Sequence, residues 1–143
     1  MSVVAFDGIH IAADRQGTSG EYINRSTKIR RLLNGDVIAW TGTSENGLAV
    51  AQWYEAGADP ALWPASQKGE DWSRLIVVSK GRVFTYEQLP IKRLIEDRFS
   101  AWGSGRDFAL GALANGASAV EAVKVASKLS ASCGMGFNSF RVR

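Results

Sequence analysis

Residues 2–14 read Ser2-Val-Val-Ala-Phe-Asp-Gly-Ile-His-Ile-Ala-Ala-Asp14. Two strand-forming runs, Ser2 to Phe6 and Ile9 to Asp14, flank the pair Asp7-Gly8. An Asp-Gly pair between such runs predicts a tight hairpin, because glycine takes the positive φ that the turn demands. His10 lies in an alternating strand pattern and reads as a strand side chain facing solvent or a neighbour.

Outward from this hairpin the chain falls into short elements. Residues 15–26 are polar, contain Gly17, Ser19 and Gly20, and read as a loop. Thr27 to Leu33 and Asp36 to Thr41 form a second hairpin around Asn34-Gly35. Ser44 to Ala56 has apolar residues at helical spacing and stops at Gly57. Residues 58–71 hold Pro60, Pro64 and Gly69 and read as a loop. A third hairpin joins Arg74–Ser79 to Arg82–Glu87 through Lys80-Gly81. Phe99–Trp102 is a short strand running into Gly103-Ser104-Gly105. Arg106 to Ala114 is a helix ended by Asn115-Gly116. Ser118 and Glu121 form a capping-box signature for a helix reaching about Leu129. Phe137–Val142 closes the chain as a strand. Runs of strands separated from paired helices predict an α+β protein with antiparallel sheets, in one domain spanning residues 1–143.

The totals fit this picture. The chain has 143 residues, 45% hydrophobic and 22% charged, with a formal charge of +3. That is enough to bury roughly two-thirds of the unfolded surface without staples. The basic residues are dispersed and form no stripe with reading elements, which argues against nucleic acid. A single cysteine, Cys133, and a single histidine, His10, argue against a disulfide framework and a metal site. No run reaches the ~18 apolar residues of a membrane span, and no basic stretch with a long apolar core opens the chain. The expectation is a soluble protein that stays where it is made and needs no cofactor.

Four features could carry chemistry. Ser2 follows the initiator methionine, and small second residues permit methionine removal. The freed α-amine, with a reference pKa near ~8, could then take the proton of the serine hydroxyl as it attacks a carbonyl. Asp14 and Lys28 end one strand and begin another; a lysine held by a carboxylate near a nucleophile favours its ionised form. Taken alone, the pair reads more simply as a surface ion pair. Gly42 joins a strand to a helix, where a backbone N–H can face a developing oxyanion; a plain helix-entry turn is the simpler alternative. Gly103-Ser104-Gly105 repeats that geometry without the spacing of a phosphate-binding motif, and Ser104 reads equally as a helix cap. Cys133 follows a helix and precedes Gly134, but its one potential histidine partner, His10, lies in a distant hairpin, so it reads as packing.

Together these segments resemble one family. Ser2 to Gly8 with Ile11-Ala-Ala-Asp14 is similar to the start of a mature proteasome β subunit or of its bacterial relative HslV. Thr27-Lys28-Ile-Arg-Arg-Leu32 resembles the HslV segment that carries the family's catalytic lysine. Val37 to Thr43 resembles the strand and glycine that supply the oxyanion N–H. Ala101 to Ala109 resembles the family's Gly-Ser-Gly segment, whose serine supports the N-terminal amine. The likeness covers nearly the whole chain and is greatest to the short proteasome-like proteins of tailed phages and some bacteria.

The resemblance implies a four-layer αββα sandwich of the N-terminal-nucleophile hydrolase type, with two antiparallel sheets and a reduced helical layer. It implies a peptidase acting on peptides or unfolded protein in the cytoplasm of a bacterial or phage-infected cell. Ser2 would be the nucleophile, Lys28 its electrostatic tuner, Asp14 the holder of Lys28, Gly42 the oxyanion donor and Ser104 the support of the amine. Self-association follows from the family, in which rings are the rule, and the sequence specifies no unfoldase partner. The departures from the pattern are equally specific. Serine replaces threonine at the nucleophile. Ser130 stands where the family has an aspartate, and Cys133 where it has a hydroxyl. Trp40 occupies a substrate-pocket strand that commonly bears smaller residues, and is expected to fill the pocket. Only one outer helix fits between Gly42 and Arg74. A catalytically silent subunit kept for structure or interaction, and an amidohydrolase acting on small molecules, are the competing readings.

Overall fold

The computed structural model describes residues 2–143. Met1, whose removal the sequence reading requires, lies outside the described residues. The first hairpin forms as expected: β1 (Val4–Phe6) and β2 (His10–Asp14) pair antiparallel, with Val4 opposite Ala13 and Phe6 opposite Ile11. Asp7 fastens the turn between them. Its Oδ1 accepts the N–H groups of Ile9 and His10 at 2.8 and 2.6 Å, and its Oδ2 accepts that of Ala119 at 2.8 Å. Burial acts to raise the Asp7 pKa, but these N–H donors outweigh it and hold the carboxyl below its ordinary value.

A ribbon of β3 (Gln16–Ser19) and β4 (Tyr22–Arg25) follows where the sequence reads as a loop. Its residues are mostly polar and exposed, so no apolar alternation announces it. The chain continues through β5 (Ile29–Arg31), β6 (Val37–Thr41) and the helix α1 (Ser44–Glu55). Next come β7 (Arg74–Ser79), β8 (Arg82–Tyr86) and a two-residue edge strand, β9 (Arg93–Leu94), which the sequence reading also lacks. Strand β10 (Ser100–Trp102), helices α2 (Arg106–Ala114) and α3 (Ala119–Leu129), and β11 (Phe137–Arg141) complete it. The capping box at α3 is formed: Glu121 N–H donates to Ser118 Oγ at 3.2 Å, and Ser118 N–H to Glu121 Oε1 at 3.3 Å.

The strands make an antiparallel sheet of order β10-β1-β2-β11 and another of order β5-β6-β7-β8-β9. Side chains of period two send alternate residues of each strand to different cores. Ala5, Ala12 and Ala101 meet Ala109, Ala119, Ala122 and Ala126 of α2 and α3. Small residues on both sides let these helices approach the sheet closely. Val4, Phe6, Ile11 and Ala13 meet Ile29, Val37, Ala39, Ile76 and Val78 between the two sheets. Ile38, Trp40, Leu75, Val77 and Phe84 meet Val50, Ala51 and Trp53 of α1. Central strands buried on both faces explain why 3–6 and 37–40 read as continuous apolar runs. Among the described residues no helix is long and apolar enough to cross a membrane.

Trp40, expected to fill the substrate pocket, is a core residue packed against α1. Its buried indole belongs to the α1 core and lies over Gly47, with the Arg30 guanidinium 5.8 Å from the ring centre. A methyl group at Gly47 would be driven into Trp40 Cδ1. Gly47→Ala is therefore expected to destabilise the protein by about 1–3 kcal/mol through overpacking. An exposed helix would instead gain about 1 kcal/mol from the same change. The urea midpoint of the variant reads the sign directly.

Candidate active site

Of the five expected site residues, the fold brings Ser2, Asp14, Lys28 and Ser104 into one hydrogen-bonded cluster. Ser2 precedes β1 and is 1% exposed. Its N–H donates to Ser104 Oγ at 3.0 Å, and Ser104 Oγ–H lies 3.4 Å from Ser2 O. Gly105 N–H donates to the same carbonyl at 3.1 Å. The Gly-Ser-Gly turn after β10 thus grips the backbone of Ser2 from one side.

Asp14, at the end of β2, grips the next residue from the other. Its Oδ1 accepts Val3 N–H at 3.0 Å and the Lys28 ammonium at 2.8 Å. Its Oδ2 accepts Gly134 N–H at 3.1 Å and Gln16 N–H at 3.3 Å. The carboxylate is wholly buried and Lys28 is 6% exposed. Such a pair is tolerated in the interior because every lone-pair direction has a donor. Lys28 is held by the ladder that leads into β5, since Trp40 N–H donates to its carbonyl at 3.0 Å.

Gly103 makes the close approach possible. It has φ of +99°, and a Cβ there would overlap the Ser2 carbonyl oxygen and come within 3.2 Å of Ser2 Oγ. Ser2 Oγ itself is buried and has no hydrogen-bond partner among the described residues. A buried hydroxyl left unpaired costs about 1–3 kcal/mol.

Gly42 lies in the wall of an adjoining cavity of about 480 Å³ that also takes in Lys28, Gln16, Thr18, Thr43, Asp71 and Trp72. Its φ is +99°, and a Cβ would collide with Ser73. That turn is fixed from behind: Ser73 Oγ–H donates to Thr43 O at 3.0 Å, while the fully buried Gln67 carboxamide exchanges two hydrogen bonds with the Ser73 backbone at 2.6 and 2.9 Å. Neither Ser2 nor Trp40 lines this cavity. A larger cavity of about 770 Å³ lies at the β1–β2 turn and contains none of the expected site residues.

Ser130 and Cys133 also reach the cluster. Ser130 caps the end of α3, and the Cys133 sulfur lies beside Gly105. Burial, reinforced by the Asp14 charge, pushes the Cys133 thiol above its ordinary pKa. It therefore stays protonated and packs against Gly105. Gln16 and Gly134 are participants to which the sequence assigns no site role. Gln16 sits in a polar run with no apolar pattern, and its only pointer is its place two residues after Asp14.

No family model matches the sequence, and no curated protein matches it. Solved structures do. The chain is similar to BPH of Thiobacillus denitrificans in complex with epoxomicin, with a TM-score of 0.72 and 20% identity over 99% of this chain and 97% of that one. BPH of the same organism without that ligand gives a TM-score of 0.72 at 19% identity, over 98% and 96% of the two chains. Eukaryotic HslV from Trypanosoma brucei gives 0.67 at 20% identity, over 98% and 97%. Over nearly its full length, this chain has the fold of HslV and its proteasome-like relatives.

Proposed function

We propose that the protein is an N-terminal-nucleophile peptidase in which Ser2, freed by removal of Met1, attacks the substrate carbonyl. The observation that carries this reading is the environment of Ser2: a buried hydroxyl with no hydrogen-bond partner among the described residues, a backbone N–H held on Ser104 Oγ, and the Asp14–Lys28 pair bound to the following residue. Its likeness to a protein solved with epoxomicin adds support for a nucleophile of this class. The three cores support a four-layer αββα sandwich in a single domain, of the kind the resemblance implies. Self-association into an oligomer belongs to the same reading.

In the reaction, the α-amine of Ser2 takes the hydroxyl proton while Oγ bonds to the carbonyl carbon. Ser104 orients the amine, and the Lys28 ammonium, held by Asp14, favours the developing alkoxide. The Gly42 N–H receives the oxyanion, a contribution of about 3–4 kcal/mol for one good donor in acyl transfer. Collapse expels the amine half of the substrate, protonated by the Ser2 ammonium, and leaves an ester. Water, deprotonated by the same amine, then releases the acid and regenerates Ser2.

The test is hydrolysis of fluorogenic peptide amides by processed wild type and by Ser2→Ala, which keeps a small second residue and so permits methionine removal. A loss of at least about 10³-fold is expected. Equal rates would overturn the assignment. The burial of Ser2 favours one second reading, a silent proteasome-like subunit kept for assembly. Its mark is retention of Met1 in the native host.

A further inference from the structure

We propose that Gln16 is a positioning residue of this site, tying the cavity wall to the loop that gives Asp14 a backbone donor. The proposal rests on the peptidase reading above. Gln16 lines the cavity beside Gly17 and Thr18, yet it is only 5% exposed. Its side chain runs inward: Nε2 donates to Ala131 O at 2.9 Å and lies 3.4 Å from Thr18 Oγ1. Three residues beyond Ala131, Gly134 donates its N–H to Asp14 Oδ2. A Cβ at Gly134 would come to 3.0 Å from Gln16 Oε1, so the carboxamide packs directly on that glycine.

The loop is fastened from β2 and β3 at three successive residues. Asp14 accepts from Gly134, Arg15 N–H donates to Gly134 O at 3.0 Å, and Gln16 reaches Ala131. Only the Gln16 link also touches the cavity. One of the four donors on Asp14, the N–H of Gly134, sits on the loop that this side chain holds. Asp14 in turn holds Lys28. A substrate pressed against Gln16 and Thr18 therefore rests on the side chain that keeps the Asp14–Lys28 pair in place.

The chemistry of the link makes it testable. Ala131 offers a carbonyl oxygen, so the group facing it must be a donor. A carboxylate at this position sets negative charge against that oxygen, whereas a protonated carboxyl donates again. The Gln16→Glu variant is thus a titratable copy of the link. Charged and titratable groups around it are Asp14 from β2, Lys28 ahead of β5, Cys133 from the loop, and Glu70 and Asp71 across the cavity. Burial and the neighbouring carboxylates push the new carboxyl's titration upward, against the downward pull of the Lys28 ammonium.

The experiment measures the rate of Ser2 modification by a peptide epoxyketone at saturating probe, between about pH 5 and 8, a range that brackets a buried carboxyl. Wild type, Gln16→Glu and Gln16→Met are compared at each pH, with thermal unfolding confirming the folded state. Gln16→Glu is expected to be roughly tenfold slow at the alkaline end and to approach wild type at the acid end. Gln16→Met is expected to be slow throughout, with the half-saturating probe concentration little changed in both. A Gln16→Glu to wild-type ratio independent of pH would overturn the proposal, as would a Gln16→Met variant as fast as wild type. If Gln16→Glu does not fold, the Gln16→Met rate alone decides. Failure of wild type to react at any pH would instead overturn the peptidase reading, and this proposal with it.

Discussion

Replacing Lys28 by alanine is expected to reduce peptide hydrolysis by about 10²–10⁴-fold and to lower stability by about 3–5 kcal/mol. The stability loss follows from what remains. Asp14 is wholly buried, and without the ammonium 2.8 Å away it keeps three backbone donors but no compensating charge. Solvent does not reach it. A double replacement, Lys28→Met with Asp14→Asn, removes both charges and is expected to recover much of the stability, since uncharged interiors commonly match ion pairs. Activity should stay lost in the double variant, because the ammonium that Asp14 holds is gone. Urea unfolding and peptide turnover on the three proteins separate the two roles. Recovery of turnover together with stability would show that Lys28 is only a structural cation.

Gly103→Ala is expected to be the most damaging single methyl group in the site. Two costs add. Alanine at φ of +99° is strained, and its Cβ would overlap the carbonyl oxygen of Ser2, a backbone atom already fixed by Gly105 N–H. Strain and overpacking together come to about 2–5 kcal/mol. Relief requires Ser2 to move, which takes its N–H off Ser104 Oγ and its hydroxyl out of place. Gly116→Ala is the control, with φ of +93° and nothing within 4 Å of the added carbon. It carries the strain without the collision. The difference between the two in urea unfolding isolates the collision, expected at about 1–3 kcal/mol. Only Gly103→Ala should also lose reactivity at Ser2.

How much of this was legible in advance depends on how local the cause is. The Asp7-Gly8, Asn34-Gly35 and Lys80-Gly81 turns, the Ser118 capping box and the Arg106–Ala114 helix are written in neighbouring residues, and each forms as read. The ribbon of β3 and β4 was not legible, because its side chains face outward and leave no apolar pattern. Strand order was not legible either. Flanking β1 and β2 with β10 and β11 depends on contacts across about a hundred residues, which periodicity does not encode.

The site divides in the same way. Ser2 and Ser104 are 102 residues apart, and only resemblance to the proteasome-like family joined them before the fold did. That Gly103 clears room for the Ser2 carbonyl is a tertiary fact. That Trp40 faces α1 and packs on Gly47 is likewise a tertiary fact. Gln16 and Gln67 are buried carboxamides inside runs that read as loops, and each binds backbone groups distant from its own run or across a turn. Buried polar side chains of this kind are selected by the backbone groups they must satisfy, and those groups are invisible in a linear pattern.

The measurement that bears most directly on the central claim is the intact mass of the protein expressed in its native host, before and after exposure to a peptide epoxyketone. The expected result is a chain lacking Met1 that gains one probe molecule, localised by fragmentation to Ser2. A chain that keeps Met1 and gains no mass would contradict it, and would leave a proteasome-like fold retained for assembly or binding.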